Sequence, residues 1–333
     1  MEISVRYLMH MVIYYLVVVI SFSTISCGNA EKSWEEIKTS DGTKPMKRHE
    51  CGFVERKGKF YLIGGRGYRP VDIYDPAENK WTQGSQPPLE IHHFQPVVFR
   101  DKIVIVGAMT GLYPNELPLP YIISYNPDTD EWFSIDSIPT ERLRGSGGTV
   151  IYQDKIYWVG GLSEGHMGGH KSFFDEYNPI TRKWKKLPDA PRVRDHFQAV
   201  VGNDKLYVAG GRMTKAPYGT FTHVITEIDV YDFQTHQWST LEQELPTPRA
   251  GTFTLFHDKK LYISGGESLK SRQAFPITEI YDTQNQSWSA LPPMKNGRHG
   301  TGMVYFNNCI YVGAGNSSRG GDNELDDLIR LCQ

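Results

Sequence analysis

The sequence predicts an all-β domain assembled from six copies of one four-stranded unit. Two observations carry this. Six of the seven tryptophans, Trp34, Trp81, Trp132, Trp184, Trp238 and Trp288, recur at intervals near 50 residues. Seven residues before five of them stands a tyrosine: Tyr74, Tyr125, Tyr177, Tyr231 and Tyr281. Self-similarity at this period marks a repeat architecture. The second observation is an apolar run ending in two small residues, again in six copies: YLIGG (61–65), VIVGA (104–108), YWVGG (157–161), YVAGG (207–211), YISGG (262–266) and YVGAG (311–315).

Each element of the unit follows in order. A strand a precedes the turn before the apolar run. The run itself is strand b, because a short stretch of β-formers bounded by glycines reads as a buried strand ending in a tight turn. Strand c ends at the tyrosine. The segments DPAENKW, NPDTDEW, NPITRKW, DFQTHQW and DTQNQSW then place Asp, Asn and Pro where a turn is required, so the tryptophan lies on a returning strand d.

This combination of Gly-Gly pair, tyrosine and tryptophan resembles the kelch motif. The resemblance covers nearly the whole chain after its first 26 residues, in six copies, with small departures at Gly107-Ala108 and Ala314-Gly315. It implies a six-bladed kelch β-propeller, one four-stranded blade per repeat around a channel. The copies are out of phase with the chain. The sixth reaches the tyrosine position at Leu331 and has no tryptophan, whereas KSWEEIK around Trp34 is a strand d without a unit. The N-terminal strand is therefore expected to complete the blade begun by residues 298–333. Such a closure pins both ends and removes an open sheet edge.

Lys and Arg number 36 against 38 Asp and Glu, a net charge of -2. That balance, without an aromatic-basic motif, argues against a nucleic-acid partner. Residues 7–23 are nearly all apolar behind Arg6, short for a membrane span, and read as the hydrophobic region of a secretory signal over residues 1–26. The sequence Thr24-Ile25-Ser26-Cys27 resembles a bacterial lipoprotein cleavage site, which implies lipidation of Cys27 and a membrane-anchored, extracytoplasmic propeller over 27–333. Simple secretion and an uncleaved anchor are the other readings of the same leader. A monomer is expected. Of the remaining cysteines, Cys309 begins strand b of the last unit and Cys332 ends its strand c, so antiparallel pairing sets them side by side. Two readings stand: a disulfide in an oxidising compartment, or buried thiols.

Strand alternation puts the start of a and the b–c loops on one face and the a–b and c–d turns on the other. Aligned by distance from the apolar run, the starts of strand a give three columns: Arg48, Ile91, Arg144, Arg194, Arg249, Arg298; then His49, His92, Gly145, Asp195, Ala250, His299; then Glu50, His93, Ser146, His196, Gly251, Gly300. Blade 3's b–c loop adds His166 and His170 to the same face. An arginine ring with interleaved histidines suits a planar anion, since the guanidinium fork donates two parallel hydrogen bonds. The expected ligand is an anionic carbohydrate, taken by Arg48, His49, His92, His93, Arg144, His166, His170, Arg194, Asp195, His196, Arg249, Arg298 and His299. The competing expectation comes from the resemblance: kelch repeats often carry an arginine here, which then bonds loop carbonyls and acids such as Glu50 and Asp195.

No catalytic residue is assigned, and no cofactor or metal is expected. Glu164, His166 and His170, with His196 or His93 across the channel, offer ligand types, but the Gly-rich loop supplies no fixed geometry. Galactose oxidase is an enzyme on this fold, and its copper site needs a tyrosine–cysteine context absent here. A sialic acid epimerase on a kelch propeller suggests an alternative, a sugar epimerase or mutarotase, by likeness of fold only. The remaining alternative is a protein-interaction propeller with an extracytoplasmic protein partner.

Overall fold

The computed structural model describes residues 32–217 and 219–332. Six four-stranded antiparallel sheets form the blades, with two single 3-10 turns, Thr140–Arg142 and Gly165–Met167, and no α-helix among the described residues. Blade 1 consists of Cys51–Arg56, Lys59–Gly64, Asp72–Asp75 and Lys80–Gln83. Blades 2 to 5 repeat it, with innermost strands Val97–Phe99, Gly148–Tyr152, Ala199–Gly202 and Phe253–His257. Blade 6 takes three strands, Met303–Phe306, Cys309–Gly313 and Leu328–Cys332, from the C-terminal end. Its outermost strand is Glu35–Glu36, paired Glu35 to Arg330 and Glu36 to Ile329. The leader over 1–26 and Cys27 lie outside the described residues.

The apolar pattern explains why the blades stack. Side chains alternate across a strand. Phe60 and Leu62 accordingly enter the core shared with blade 6, and Tyr61 and Ile63 enter the core shared with blade 2. The same division gives one apolar cluster at every blade-to-blade junction. The seven-residue spacing of tyrosine and tryptophan is a hairpin register: Tyr74 faces Trp81 directly, with ring centroids 5.2 Å apart. Trp238 Nε1 donates to Pro188 O of the preceding blade at 2.8 Å, and Trp34 to Pro292 O at 2.8 Å, so the tryptophans also tie neighbours together.

Cys309 and Cys332 are register partners on adjacent strands and form a disulfide. Cys51 is the free cysteine among the described residues, buried beside Thr301, and burial pushes its thiol up to about 12.

A candidate ligand site at the channel mouth

The five ring arginines are not at the mouth. Each is at most 1% exposed and turns into its own blade. Each donates to the carbonyl of the first residue of the doublet: Arg48 to Gly64 (3.0 Å), Arg144 to Gly160 (2.6 Å), Arg194 to Gly210 (2.9 Å), Arg249 to Gly265 (2.6 Å) and Arg298 to Ala314 (2.9 Å). Each also pairs with an acid at the start of strand c, namely Asp72, Asp175, Asp229, Glu279 and Asp327. Arg48, Arg144, Arg194, Arg249 and Arg298 are therefore corrected from ligand-binding to structural groups, because each guanidinium is buried and would have to abandon its acid to reach a ligand. Blade 2 supports this from within the chain. Ile91 replaces the arginine and Ile123 stands where the acid would be, and both sit in one apolar cluster.

The third column is what lines the channel. Glu50, His93, Ser146, His196, Gly251 and Gly300 all have positive φ, between 53° and 66°. A non-glycine residue in this region is uncommon and needs support from its surroundings. The support is a circle of backbone bonds from blade to blade: His93 N to Glu50 O (3.0 Å), Ser146 N to His93 O (2.9 Å), His196 N to Ser146 O (3.1 Å), Gly251 N to His196 O (2.6 Å), Gly300 N to Gly251 O (3.1 Å) and Cys51 N to Gly300 O (3.1 Å). The left-handed turn aims these side chains at the axis.

Above this circle opens a cavity of 580 Å³, lined among others by Glu50, Arg66, Tyr113, Phe221, Glu267 and His299. Its wall is a mesh of charge pairs. Arg66 holds Glu116 (2.5 Å), and Arg212 holds Glu267. His49 Nδ1 meets Glu324 at 2.7 Å. His299 donates from Nε2 to Ser318 O (3.0 Å) and Gly320 O (2.9 Å), with Glu267 at 3.4 Å and Glu50 at 3.6 Å from its ring nitrogens. Burial disfavours a charged His299, but Glu267 and Glu50 outweigh it and raise the imidazole to about 9. Burial likewise opposes ionisation of Glu50, and the surrounding imidazoles, with the protonated His299 among them, outweigh it and hold that carboxyl well below its usual range.

Three histidines from three consecutive blades meet beside Glu50. His93 enters from blade 2, His196 from blade 4, and His166 from the 3-10 turn in blade 3's b–c loop. Ring centroids are 5.2 Å apart for His93–His166, 4.8 Å for His93–His196 and 5.0 Å for His166–His196, every pair edge-to-face. One ring nitrogen of each lies within 4.8 Å of those of the other two, and all three residues are buried. Glu116 anchors the turn by accepting from His166 N at 3.1 Å and contacting His166 Nδ1 at 3.0 Å. Gly165 permits that approach, since a Cβ there would lie 2.6 Å from Glu116 N. Burial is the main cause lowering the basicity of His93 and His166, so both favour the neutral ring.

Of the other predicted residues, His92 sits behind His93, its Nε2 donating to Gly111 O (3.1 Å) and its Nδ1 2.6 Å from His93 Nδ1. Burial pushes its imidazole down to about 4. His170 is drawn off to Thr214 O (2.7 Å) and lies outside the three-histidine group. Asp195 is fully buried, bonded to His196 and to Thr214 N (2.9 Å). The sequence reading missed Arg66, Arg212, Glu267 and Glu116. The first three occupy the position immediately after the doublet in blades 1, 4 and 5, a column that the alignment of strand starts did not include. Glu116 sits in blade 2's b–c loop and carries no periodic signal.

Comparison with known proteins agrees with the architecture. The KLHDC2/KLHL20/DRC7 Kelch-repeats domain model matches residues 146–332. Kelch-like protein terF of Aspergillus terreus is 28% identical over 289 residues, covering 81% of this chain and 61% of the relative. Human Kelch-like protein 23 is 29% identical over 77% of this chain and 43% of its own length. Beta-scruin of Limulus polyphemus is 27% identical over 76% of this chain and 29% of its own. The chain thus spans less than two thirds of these relatives. The solved structure of YjhT superposes with a TM-score of 0.73 at 14% identity, over 87% of this chain and 96% of that one, a likeness of fold. With a family model matching more than half of the chain, with a small-residue doublet and a tryptophan in every blade, and with the tyrosine in five of the six, the chain belongs to the kelch-repeat family.

Proposed function

We propose that the chain is a recognition propeller that takes a small, hydroxyl-rich ligand of carbohydrate class in the cavity at the channel mouth. The cavity carries the reading: 580 Å³ is the size of a ligand pocket. Tyr113 and Phe221 line it with aromatic surface for the apolar side of a sugar, and Glu50, Thr220 and His49 offer groups for its hydroxyls. The preference for an anion has lost its main basis, because the ring arginines are consumed inside the blades and Arg66 and Arg212 already hold carboxylates. A neutral sugar is the better fit than a carboxylated one. The extracytoplasmic, Cys27-anchored location is part of the same proposal. It is supported by the apolar leader and by the Cys309–Cys332 disulfide, which suits an oxidising compartment.

A specific observation favours a second reading, a protein partner on the same face. Tyr68, Leu112, Met167, Met213 and Leu269, one from each of five b–c loops, are between 37% and 81% exposed. A rim of exposed apolar side chains is the common mark of an interaction surface.

Calorimetric titration of the intact chain with neutral and uronic monosaccharides separates the readings. The expected result is saturable binding of a neutral sugar, weakened about tenfold by Tyr113→Ala and by Phe221→Ala. Absence of heat with every sugar, in protein that remains folded, sinks the sugar reading and leaves the apolar rim as the working surface.

A further inference from the structure

We infer that His93, His166 and His196 form a mononuclear binding site for a divalent transition metal of the zinc class, with a fourth coordination position open to the mouth cavity. This stands apart from the ligand reading above, since a metal can bind there whatever the cavity accepts.

The argument rests on which nitrogens are already used. His166 Nδ1 lies 3.0 Å from Glu116 Oε2, and a carboxylate can only accept, so Nδ1 carries the proton. His196 Nδ1 lies 2.5 Å from Asp195 Oδ1 and carries its proton for the same reason. His93 Nδ1 lies 2.6 Å from His92 Nδ1. His92 spends its own proton on Nε2, 3.1 Å from Gly111 O, so its Nδ1 accepts and His93 Nδ1 donates. In all three rings the lone pair is thereby left on Nε2. An imidazole whose far nitrogen is held by a carboxylate or another acceptor is the usual form of a metal-ligating histidine, because the outer bond fixes tautomer and orientation and raises basicity.

An independent observation points the same way. His196 Nε2 is fully buried and has no hydrogen-bond partner among the described residues. A buried acceptor left without a partner costs free energy. A metal ion would satisfy it together with the lone pairs of His93 and His166.

Size and charge fit. Ligand nitrogens within 4.8 Å of one another need each ring to move inward by about 1 Å to reach bonds of about 2.0–2.1 Å to zinc. All three ligands are neutral nitrogens, which suits zinc, nickel, copper or iron rather than calcium or magnesium. The surroundings supply negative charge: Glu116 and Asp195 behind the ligands, and Glu50 with Oε2 3.7 Å from His93 Nε2. His93 and His166 also line the mouth cavity, so the vacant side of a three-histidine ion faces it. Three protein ligands and one open position is the arrangement of catalytic rather than structural zinc sites. The fourth position takes water or an oxygen of whatever enters the cavity.

The test is metal binding by the intact chain, stripped with a chelator and titrated with Co²⁺ and then Zn²⁺. The expected result is one Co²⁺ per chain with the intense visible bands of a four-coordinate nitrogen–oxygen site, displaced by one equivalent of Zn²⁺. His166→Gln and His196→Gln should each abolish stoichiometric binding. Glu116→Gln and Asp195→Asn, which alter the partners of the outer nitrogens of His166 and His196, should weaken it about 10–100-fold. His257→Gln, at the turn end of strand Phe253–His257 and away from the mouth, should bind as the parent does. Circular dichroism on each variant shows that the propeller is intact. A folded parent chain that takes up no Co²⁺, or folded His166→Gln and His196→Gln variants that keep one equivalent, overturns the inference.

Discussion

His299 shows how a single side chain at the mouth couples folding to pH. Its ring lies between Glu50 and Glu267, with Arg212 bonded to Glu267 and the ring of His49 at 6.1 Å. Burial alone would make it neutral, but the two carboxylates win and raise it to about 9 from the ordinary 6.5. A group whose basicity is raised by folding contributes stability that is complete below the unfolded value and lost as pH rises through the folded one. The contribution of His299 is therefore full below about pH 6.5 and disappears by about pH 9. Thermal melts of chelator-treated protein should show the parent losing about 2–4 °C more than His299→Gln across that window, with the variant less stable at its acidic end. Equal slopes for the two proteins would mean that His299 is neutral in the folded state.

Arg249 works at the level of strands. It pins the end of strand Lys260–Ser264 through Gly265 O and the start of Thr278–Asp282 through Glu279, so one guanidinium fixes two strands at their mouth ends. Removing one partner of such a buried pair leaves the other charge unmatched and typically costs about 3–5 kcal/mol, whereas an apolar replacement of both can be nearly neutral. Blade 2 already carries that replacement in Ile91 and Ile123. Arg249→Ile is therefore expected to destabilise by about 3–5 kcal/mol in denaturant unfolding, and Arg249→Ile with Glu279→Ile to recover most of it. Additive losses in the double variant would argue against the pairing. The same device explains what could be read in advance. Strand positions were legible because glycine doublets, turn residues and the seven-residue tyrosine–tryptophan register are local signals. The face was legible from alternation of direction. The role of the arginines was not, because a column of like residues says where the backbone is and not which way a long side chain turns. The partners that decide it, Asp72, Asp175, Asp229 and Glu279, sit about thirty residues away on strand c. The three-histidine group was half legible: His93, His166 and His196 were all picked out, but their convergence depends on left-handed backbone at His93 and His196 and on the Glu116 contact that lowers His166 into place.

For the whole molecule the decisive feature is closure. Every blade shares an apolar core with both neighbours, and the backbone circle at the axis runs through all six before returning from Gly300 to Cys51. In such a ring each junction supports the next only while the circle is complete. The N-terminal strand is short, Glu35–Glu36, yet it stands at a sensitive place. Trp34 packs against the core between blades 5 and 6, and Ile37 against the core between blades 6 and 1. Ile37 N donates to Leu328 O at 2.8 Å, and Trp34 Nε1 to Pro292 O at 2.8 Å. Loss of this strand would uncover two junctions at once and expose the edge of Leu328–Cys332, an invitation to edge-to-edge association. A chain lacking residues 31–40 is therefore expected to melt roughly 10 °C or more below the parent, still in a single transition, with tryptophan fluorescence and circular dichroism falling together. If the strand were an ornament on one blade, the main transition would stay where it is and only a minor early phase would appear. A deletion that melts with the parent would show that the ring holds without its N-terminal strand and that the disulfide between Cys309 and Cys332 is enough to secure the last blade.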